Sequence, residues 1–473
     1  MTSADKEYDL LVINATVLTM DNAGSVYERG AVGVRDGKLA YVGPLSAAVT
    51  AETAGLVAGE TVAEAAAEAA ADVIDACGMI VLPGFVNTHI HIFQSLLKGL
   101  GADHELVEWL NLSALPYGAL ATPAHHRIAA RLACMEAIRS GCTTLAEFFY
   151  TAQDPALADA VIEGMLSTGM RSVFIRTFQD TGLDYGMPAC FIEPAGAAMS
   201  AVADLRRRYP VAEYPMLDIW TGPDVTWSTT RAGYAEMLEY CLGEGVNYSM
   251  HILETTVDNE MCQREHGCDI VDMLEGLGFL TERMLAVHCV NLTDRDIRRF
   301  ADYGVSVSHN PAPNLYLGSG IAPIAEAVKA GVNVSLGTDG AASNNTTNML
   351  ETMKLAALGQ KGRLRRASAL SAAETCAFAT TGGARALHKQ EQIGTLETGK
   401  RADFIVFNPD VLTSTPVHDP LAAVVYASEP RNIEHSVIDG RVVLRDGRFV
   451  NGLDEREVVE ETKKAVRELM AMR

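Results

Sequence analysis

The sequence predicts an α/β protein: a (β/α)8 TIM-like barrel with a small β-sandwich domain formed from both termini. Eight short apolar runs alternate with helical stretches in the middle of the chain, which is the pattern of eight βα units. The two ends instead alternate apolar runs with Asp-Gly turns, at Asp36-Gly37 and Asp439-Gly440, as in β-hairpins. The 473 residues are enough for one large barrel and a smaller domain.

These patterns divide the chain into three parts. Residues 1–80 and 388–454 are predicted to form the composite sandwich domain, and residues 81–387 the barrel. Residues 455–473 form an amphipathic C-terminal helix. The segment 46–71 is rich in Ala and Glu and has few large apolar residues, so we predict a helical or mobile insertion at the surface.

The barrel strands are predicted from apolar runs rich in β-branched residues. Helical segments such as Ala124 to Arg139 and Asp294 to Tyr303 lie between them. The eight strand candidates are Phe85 to His89, Thr143 to Phe148, Arg171 to Thr177, Leu217 to Gly222, Asn247 to Ile252, Met284 to Val290, Val305 to Asn310 and Asn333 to Asp339.

The overall composition excludes several classes of protein. With 48% hydrophobic and 21% charged residues the chain is globular, neither fibrous nor disordered. Its net charge of −22 disfavours nucleic acid and anionic membrane surfaces as partners. The sequence has no apolar run long enough for a membrane span and no basic leader at its start, which predicts a cytoplasmic location. The nine Cys residues form no C-x-x-C pair, which argues against disulfides or a Cys zinc site.

Residues able to bind a metal lie where the predicted strands end. His89 and His91 share one face of the first strand, His251 ends the fifth, and Asp339 ends the eighth. Three imidazoles and a carboxylate suit Zn²⁺ or Fe²⁺ with one position open for water. A single His near a strand end is more often structural, but three His and an acidic residue at one barrel mouth favour a metal site.

Two further residues suit proton transfer beside that metal. Glu254 follows His251 by three residues and is placed to carry protons from an activated water. His288 ends the sixth strand and is placed to stabilise the reacting group. For His309, at the end of the seventh strand, we favour a structural role. The segment Gly394 to Lys400 has P-loop spacing, but Arg401 replaces the Ser or Thr that would bind Mg²⁺.

Five segments of the chain resemble the amidohydrolase superfamily, and in particular its cytosine-deaminase-like branch. That branch includes adenosine and S-adenosylhomocysteine deaminases, guanine-type deaminases and s-triazine hydrolases such as atrazine chlorohydrolase. The flanking segment Gly394 to Asp403 also matches, so the resemblance covers nearly the whole chain. The five segments are Leu82 to His91, His251 to Glu254, Val287 to Cys289, Ser308 to Pro311 and Leu336 to Asn345.

The resemblance implies a mechanism and roles for these residues. One metal ion, usually Zn²⁺ and sometimes Fe²⁺, would bind His89, His91, His251 and Asp339. The fourth strand carries no Lys at its end, which implies a mononuclear site. By the same resemblance Glu254 protonates a ring nitrogen, His288 steadies the water, and Asp339 accepts its proton.

The substrate is less well determined, because the resemblance gives conflicting signals. Nucleoside deaminases of the branch tend to bind ribose with a Glu nine residues after a Trp, and that position is Gly118 here. They often have a His where this chain has Asp224, which could bind an amino or cationic group. Gln94 is closer to triazine hydrolases and some guanine-type deaminases, whereas Ser343 matches nucleoside deaminases. We predict these pocket residues: Gln94, Trp109, Arg176, Asp224, Asn314, Tyr316 and Ser343.

The sequence therefore predicts a metal-dependent aminohydrolase that replaces an exocyclic amino group of a nitrogen heteroaromatic ring by hydroxyl. The substrate would be a purine, pterin or pyrimidine base or an s-triazine. The alternatives are an s-triazine chlorohydrolase, an S-adenosylhomocysteine or adenosine-type nucleoside deaminase, and a non-enzymatic metal or ligand-binding protein. The resemblance and the C-terminal helix also predict a homo-oligomer.

Overall fold

The strands form two separate sheets. A computed structural model describes residues 6–48, 62–152, 154–450 and 452–473. Its strands, in chain order, are β1 (Tyr8–Leu18), β2 (Val26–Arg35), β3 (Lys38–Pro44), β4 (Ala70–Asp75), β5 (Ile80–Pro83), β6 (Phe85–Ile90), β7 (Cys142–Phe149), β8 (Arg171–Phe178), β9 (Leu217–Pro223), β10 (Tyr248–Ile252), β11 (Met284–His288), β12 (Ser306–His309), β13 (Asn333–Leu336), β14 (Phe404–Phe407), β15 (Ile433–Ile438), β16 (Arg441–Arg445) and β17 (Arg448–Phe449).

The central sheet is a closed barrel of eight parallel strands, β6 to β13, which pair in the order of the chain. Closure occurs where Leu336 of β13 pairs with Asn87 of β6. All residues of β7 and β8 are buried, because side chains fill the barrel on one face and contact helices on the other. That double burial explains why the sequence shows continuous apolar runs, and the predicted barrel of eight strands is confirmed.

Most of the helices connect the barrel strands or pack around them. The helices are α1 (Leu45–Ala48), α2 (Val62–Ala69), α3 (Leu106–Leu112), α4 (Ala114–Leu120), α5 (Pro123–Arg139), α6 (Pro155–Ser167), α7 (Ala195–Arg208), α8 (Arg231–Glu244), α9 (Thr256–His266), α10 (Ile270–Gly276), α11 (Asp294–Tyr303), α12 (Pro311–Tyr316), α13 (Ile324–Lys329), α14 (Met349–Leu364), α15 (Ala372–Ala377), α16 (Gly383–Ala386), α17 (Pro420–Tyr426) and α18 (Glu455–Ala471). Short 3₁₀ turns include Ile92–Leu96 and Thr226–Ser228, and both lie at the barrel mouth.

The second sheet combines strands from both ends of the chain, as predicted. Nine strands belong to it: β17-β16-β15-β14-β5-β1-β2-β3 in order, with β4 pairing to β1. Alternate residues of β14 serve two cores. Phe404 and Val406 pack inside the terminal sheet, whereas Ile405 and Phe407 pack with the barrel core. The sheet is thus attached to the barrel by a shared apolar layer.

The predicted Ala- and Glu-rich insertion is partly described. Its two ends are helical, as α1 and α2, and residues 49–61 lie outside the described residues. Ala66 and Ala69 of α2 are buried against Tyr8 and Leu11 of β1. The small side chains therefore allow close packing on the sheet. Across the described part of the chain, no helix combines the length and apolar character that crossing a membrane requires.

Candidate metal and catalytic site

The predicted ligands converge at the carboxyl ends of the barrel strands. His89 lies in β6 and His91 directly after it, His251 lies in β10, and Asp339 follows β13 by three residues. All four are buried or nearly so. Their loops lie on the same rim because every strand of the barrel runs in the same direction.

The ligand atoms point at a common centre. The Nε2 atoms of His91 and His251 are 3.2 Å apart. Asp339 Oδ1 lies 3.3 Å from Nε2 of His89 and 3.2 Å from Nε2 of His91. Donor atoms bound tetrahedrally at about 2.1 Å lie about 3.4 Å from one another. These three separations match those of atoms around one small cation. Two overlapping groups of three residues could hold such an ion: His89, His91 and Asp339, and His89, His251 and His288.

Backbone carbonyls hold two of the imidazoles in the tautomer that a metal needs. His91 Nδ1 donates to the carbonyl of Phe148 at 2.8 Å, and His251 Nδ1 donates to the carbonyl of Asp224 at 2.9 Å. Each Nε2 then presents a lone pair to the centre. Such partners fix both the orientation and the tautomer of metal-binding histidines.

Strand β6 also holds Asp339 in position. The backbone N–H of Asp339 donates to the carbonyl of His89 at 2.9 Å. Asn87 exchanges two hydrogen bonds with Thr338, at 2.7 and 3.1 Å. The hydroxyl of Ser343 donates to Oδ2 of Asp339 at 3.0 Å, so Oδ1 alone faces the imidazoles.

The chemistry of the donors fits a divalent cation. Neither ring nitrogen of His89, nor Oδ1 of Asp339, has a hydrogen-bond partner among the described residues, although all three atoms are buried. Buried polar atoms are costly unless they are satisfied, and a metal ion would satisfy them. The nitrogen and oxygen donors suit Zn²⁺ or Fe²⁺.

His288 and Asp339 also adopt left-handed backbone conformations, with φ of 69° and 59°, which are uncommon outside glycine.

The electrostatics of the centre favour positive charge. Burial alone would raise the pKa of Asp339, but the imidazoles of His89 and His91 outweigh it and hold that pKa well below its usual value. Burial would likewise lower the pKa of His251, but the carboxylate of Asp224 raises it to about 9. The surroundings of His251 thus stabilise a cation at its Nε2, whether a proton or a metal ion.

Glu254 and His288 lie beside the cluster and differ in their protonation. Burial raises the pKa of Glu254 to about 8, so the carboxyl is neutral at pH 7 and can donate a proton. Burial lowers the pKa of His288 to about 4, so that imidazole is neutral as well. His288 Nδ1 donates to Oδ1 of Asn314 at 2.9 Å, which directs its Nε2 toward Glu254 at 3.6 Å.

These groups share a pocket with mainly apolar walls. Three predicted pocket residues line it, namely Gln94, Trp109 and Asp224. The structure thus brings those three together with Glu254, His288 and the cluster.

The structure does not bring the other four predicted residues to the pocket wall. Arg176 lies on the helix-facing side of β8, where it pairs with Glu193 and lines a small cavity beside α6 and α7. Asn314 and Ser343 are buried behind the site and bind His288 and Asp339. Tyr316 is half-buried and packs on the core, while its neighbour Leu317 lines the pocket.

Sequence reasoning missed most of the pocket wall. The missed residues lie in loops after the strands and in α3, α4 and α9: Leu106, Leu110, Leu115, Tyr150, Met187, Val225, Thr226, Trp227, Asp258 and Leu317. Tyr150 and Trp227 could have been found, because each closely follows a predicted strand. The leucines of α3 and α4 have no such signal and read as ordinary helix-packing residues.

Position 118 has no room for a side chain. A Cβ built on Gly118 would lie 2.9 Å from Cγ2 of Thr151 and 3.3 Å from the rings of Phe93 and Phe191. Contacts this close require the neighbours to move. The departure at Gly118 that the sequence analysis singled out is therefore accompanied by packing that closes the space around it.

Fold and site together define the class of metal-dependent (β/α)8-barrel hydrolases. A family model described as the amidohydrolase family matches residues 80–443. The chain belongs to the amidohydrolase family, which confirms the predicted resemblance. It is accordingly a hydrolase of the type that acts on C–N bonds in cyclic amidines.

Curated relatives and solved structures agree with this assignment. The chain is 33% identical over 464 residues to a 5'-deoxyadenosine deaminase of Methanosarcina mazei, covering 98% of this chain and 99% of that one. It is 33% identical over 461 residues to a 5-methylthioadenosine/S-adenosylhomocysteine deaminase of Desulforudis audaxviator, with the same coverage.

Two solved structures share the whole architecture. A zinc-bound adenosine deaminase of Xanthomonas campestris superposes with a TM-score of 0.88 at 26% identity, covering 98% of this chain and 99% of that one. A mutant atrazine chlorohydrolase of Arthrobacter aurescens, complexed with zinc and atraton, gives 0.86 at 25% identity, covering 97% and 100%. These findings support the predicted metal-dependent deaminase and are also compatible with its two hydrolase alternatives.

Proposed function

We propose that this protein removes the exocyclic amino group of a 6-aminopurine nucleoside whose 5′ substituent is small and apolar. One observation carries the proposal: a neutral carboxyl, a neutral imidazole and a cation-binding cluster face one pocket with apolar walls. The named activities of the curated relatives supply the choice of ring and sugar.

The proposed cofactor is one divalent ion, Zn²⁺ first and Fe²⁺ as the alternative. His89, His91, His251 and Asp339 would hold it, because neighbouring donor atoms of these residues lie 3.2 to 3.3 Å apart. When bound, such an ion supplies Lewis acidity that makes water a nucleophile near neutral pH. The zinc named in the two neighbouring structures supports this choice.

Three residues of the chain would move the protons. Asp339 and the lone pair of His288 Nε2 receive hydrogen bonds from the attacking water, and the Asp339 carboxylate takes its proton. Glu254, protonated at pH 7, donates to the ring nitrogen next to the reacting carbon. Water adds O–H to that carbon, and Asp339 passes its proton on to the amino group, which leaves as ammonia. The hydroxyl proton returns to the Glu254 carboxylate, so that the product gains a ring carbonyl.

Two residues of the pocket would orient the ring. Gln94 donates from Nε2 to the hydroxyl of Tyr150 at 3.0 Å, and its buried Oε1 has no partner among the described residues. That oxygen can accept a hydrogen bond from an N–H of the substrate. The indole N–H of Trp109 donates to the carbonyl of Ala342 at 3.3 Å. Because that N–H is already hydrogen-bonded, Trp109 offers the substrate an apolar surface.

Hydrolysis of an s-triazine is the second candidate, and Gly118 favours it. The crowded position 118 cannot carry a Glu for ribose hydroxyls without displacement of Thr151. An s-triazine with alkyl substituents has no hydroxyls to bind and would suit the apolar wall. The chain also shares its fold with an atrazine chlorohydrolase.

A release assay on one panel separates the candidates. Zinc-loaded protein is tested with 5′-deoxyadenosine, 5′-methylthioadenosine, adenosine, guanine, an aminotriazine and a chlorotriazine, and ammonia and chloride are both measured. We expect the fastest ammonia release from the first two compounds. Turnover of the triazines alone would replace the proposal by the second candidate. Protein that holds no divalent metal yet is active would contradict the mechanism.

The predicted homo-oligomer and cytoplasmic location remain proposals. Helix α18 packs on α5, where Arg131 pairs with Glu461 at 2.9 Å. One face of this helix is therefore used within the chain. Light scattering of the purified protein would decide between a monomer and a larger assembly.

A further inference from the structure

We infer that Gln179 and Asp224 form a relay that positions His251 and strengthens its hold on the metal ion. The relay crosses three neighbouring barrel strands, since Gln179 follows β8, Asp224 follows β9, and His251 lies in β10. The inference rests on the metal site of the proposed function. It changes the role predicted for Asp224 from substrate contact to support of a ligand.

Both carboxylate oxygens of Asp224 face groups of the protein. Oδ2 accepts a hydrogen bond from Nε2 of Gln179 at 3.0 Å, and Oδ1 lies 3.5 Å from Nδ1 of His251. The exposed fractions of the Asp224 and His251 side chains are only 10% and 12%. This carboxylate therefore acts on the imidazole in surroundings that screen it weakly.

The backbone of Asp224 is held as firmly as its side chain. Its N–H donates to the carbonyl of Phe178 at 3.1 Å. Its carbonyl accepts from both the backbone N–H of His251 at 3.3 Å and the ring Nδ1 at 2.9 Å. The imidazole thus meets a carbonyl and a carboxylate of the same residue, which together fix its ring plane.

Gln179 is completely buried and completes the arrangement. Its Nε2 is aimed at Asp224, and its backbone carbonyl accepts from the N–H of Glu193 at 2.8 Å. A carboxylate with one fixed oxygen cannot rotate away from the ring. A carboxylate next to Nδ1–H increases the electron density on the opposite nitrogen, Nε2, which then binds a metal ion more strongly. Asp224 and Gln179 should therefore tighten metal binding at Nε2 of His251.

Metal release measures this role independently of turnover. The full-length protein is loaded with Zn²⁺, and transfer of the ion to excess chelator is followed at neutral pH. We expect Asp224→Asn to weaken Zn²⁺ binding about 10- to 100-fold, the range typical of residues that orient metal ligands. Gln179→Leu should weaken it less, in the same direction. Should Gln179→Leu fail to fold, Gln179→Met preserves more of the side-chain shape.

The double variant tests whether the two residues form one relay. If Gln179 acts through Asp224, then Asp224→Asn with Gln179→Leu binds Zn²⁺ no more weakly than Asp224→Asn alone. Losses that multiply would overturn the relay. Substitution of Co²⁺ adds a spectroscopic readout, since its visible bands should shift in Asp224→Asn if the geometry at His251 changes.

A matched control is available at Gln360, another fully buried glutamine. Its Nε2 donates to the carbonyl of Ala322 at 2.9 Å, away from the site. Gln360→Leu should lower stability without changing the Zn²⁺ release rate. Unchanged release in Asp224→Asn together with a raised KM would restore the substrate-binding role and overturn the inference. Wild-type protein that binds no divalent ion would instead refute the proposed function and the inference with it.

Discussion

Glu254 is the residue on which the proposed chemistry depends most. Its carboxyl is buried and lines the pocket, 3.6 Å from the His288 imidazole. We expect Glu254→Gln to lower kcat for ammonia release at least about 100-fold, because the amide cannot pass on a proton. Metal content by elemental analysis should stay at the wild-type level. Retained turnover would remove Glu254 from the proton path.

The pH dependence of the reaction follows from the same carboxyl. Burial raises the pKa of Glu254 to about 8, so its proton-donating form exists below that pH and is lost as the pH rises through it. A bound cation nearby favours the carboxylate and can only lower this value. We therefore expect kcat/KM to fall on the alkaline side, with a midpoint at or below about pH 8. A rate that still rises above pH 9 would contradict a neutral Glu254.

Ligands and pocket residues differed in how well the sequence predicted them. His89, His91 and His251 could be found because each ends a strand, and strand ends meet at one rim of a barrel. Met187 lies in a loop, and the path of a loop depends on what it packs against. Asn314 was predicted to line the pocket, but it is buried behind the site, and its hydrogen bond to His288 could be seen only in the structure.

At the scale of elements, strand alternation accounts for the misplaced Arg176. Successive side chains of β8 point to opposite faces, and Arg176 falls on the helix-facing one. Strands that are buried on both faces appear in the sequence as continuous apolar runs. The sequence therefore does not show which face of the strand points into the barrel. For His89 and His91 the sequence predicts that both lie on one face, because they are two residues apart, and the structure places both imidazoles beside Asp339.

A buried ion cluster joins the barrel to the terminal sheet. Arg171, the first residue of β8, donates to Asp403 at 2.6 and 3.0 Å and to Asp439 at 3.1 Å. We expect Asp403→Ala to lower the free energy of unfolding by about 3–5 kcal/mol, because it leaves a buried guanidinium partly uncompensated. Denaturant unfolding would measure the loss.

The exposed pair of Arg127 and Glu163 provides the matched control for this cluster. The two side chains are 48% and 54% exposed, so Glu163→Ala should cost less than about 1 kcal/mol. Equal losses in Glu163→Ala and Asp403→Ala would show that burial of the Arg171 cluster adds nothing to the attachment of the sheet.

The charge of the whole molecule extends into the pocket. The chain carries a net charge of −22, and the residues that line the pocket include four carboxyls but neither Lys nor Arg. Besides Glu254 and Asp339, the pocket wall carries two further carboxyls, those of Asp224 and Asp258. An anionic substituent would meet like charge at long range, and again wherever it lies near Asp224 or Asp258 inside the pocket, where screening is weak.

This charge predicts selection among substrates that share one ring. If purine nucleosides are substrates, kcat/KM for adenosine 5′-phosphate should be at least about 10-fold below that for adenosine, since like-charge contacts cost several kcal/mol. 5′-Deoxyadenosine is the uncharged control and should not be penalised. Asp258→Asn should reduce the ratio of kcat/KM for adenosine to kcat/KM for its 5′-phosphate. Added salt should reduce the same ratio, because salt screens the long-range part of the repulsion. Equal rates for the phosphate and adenosine would show that the pocket does not discriminate by charge.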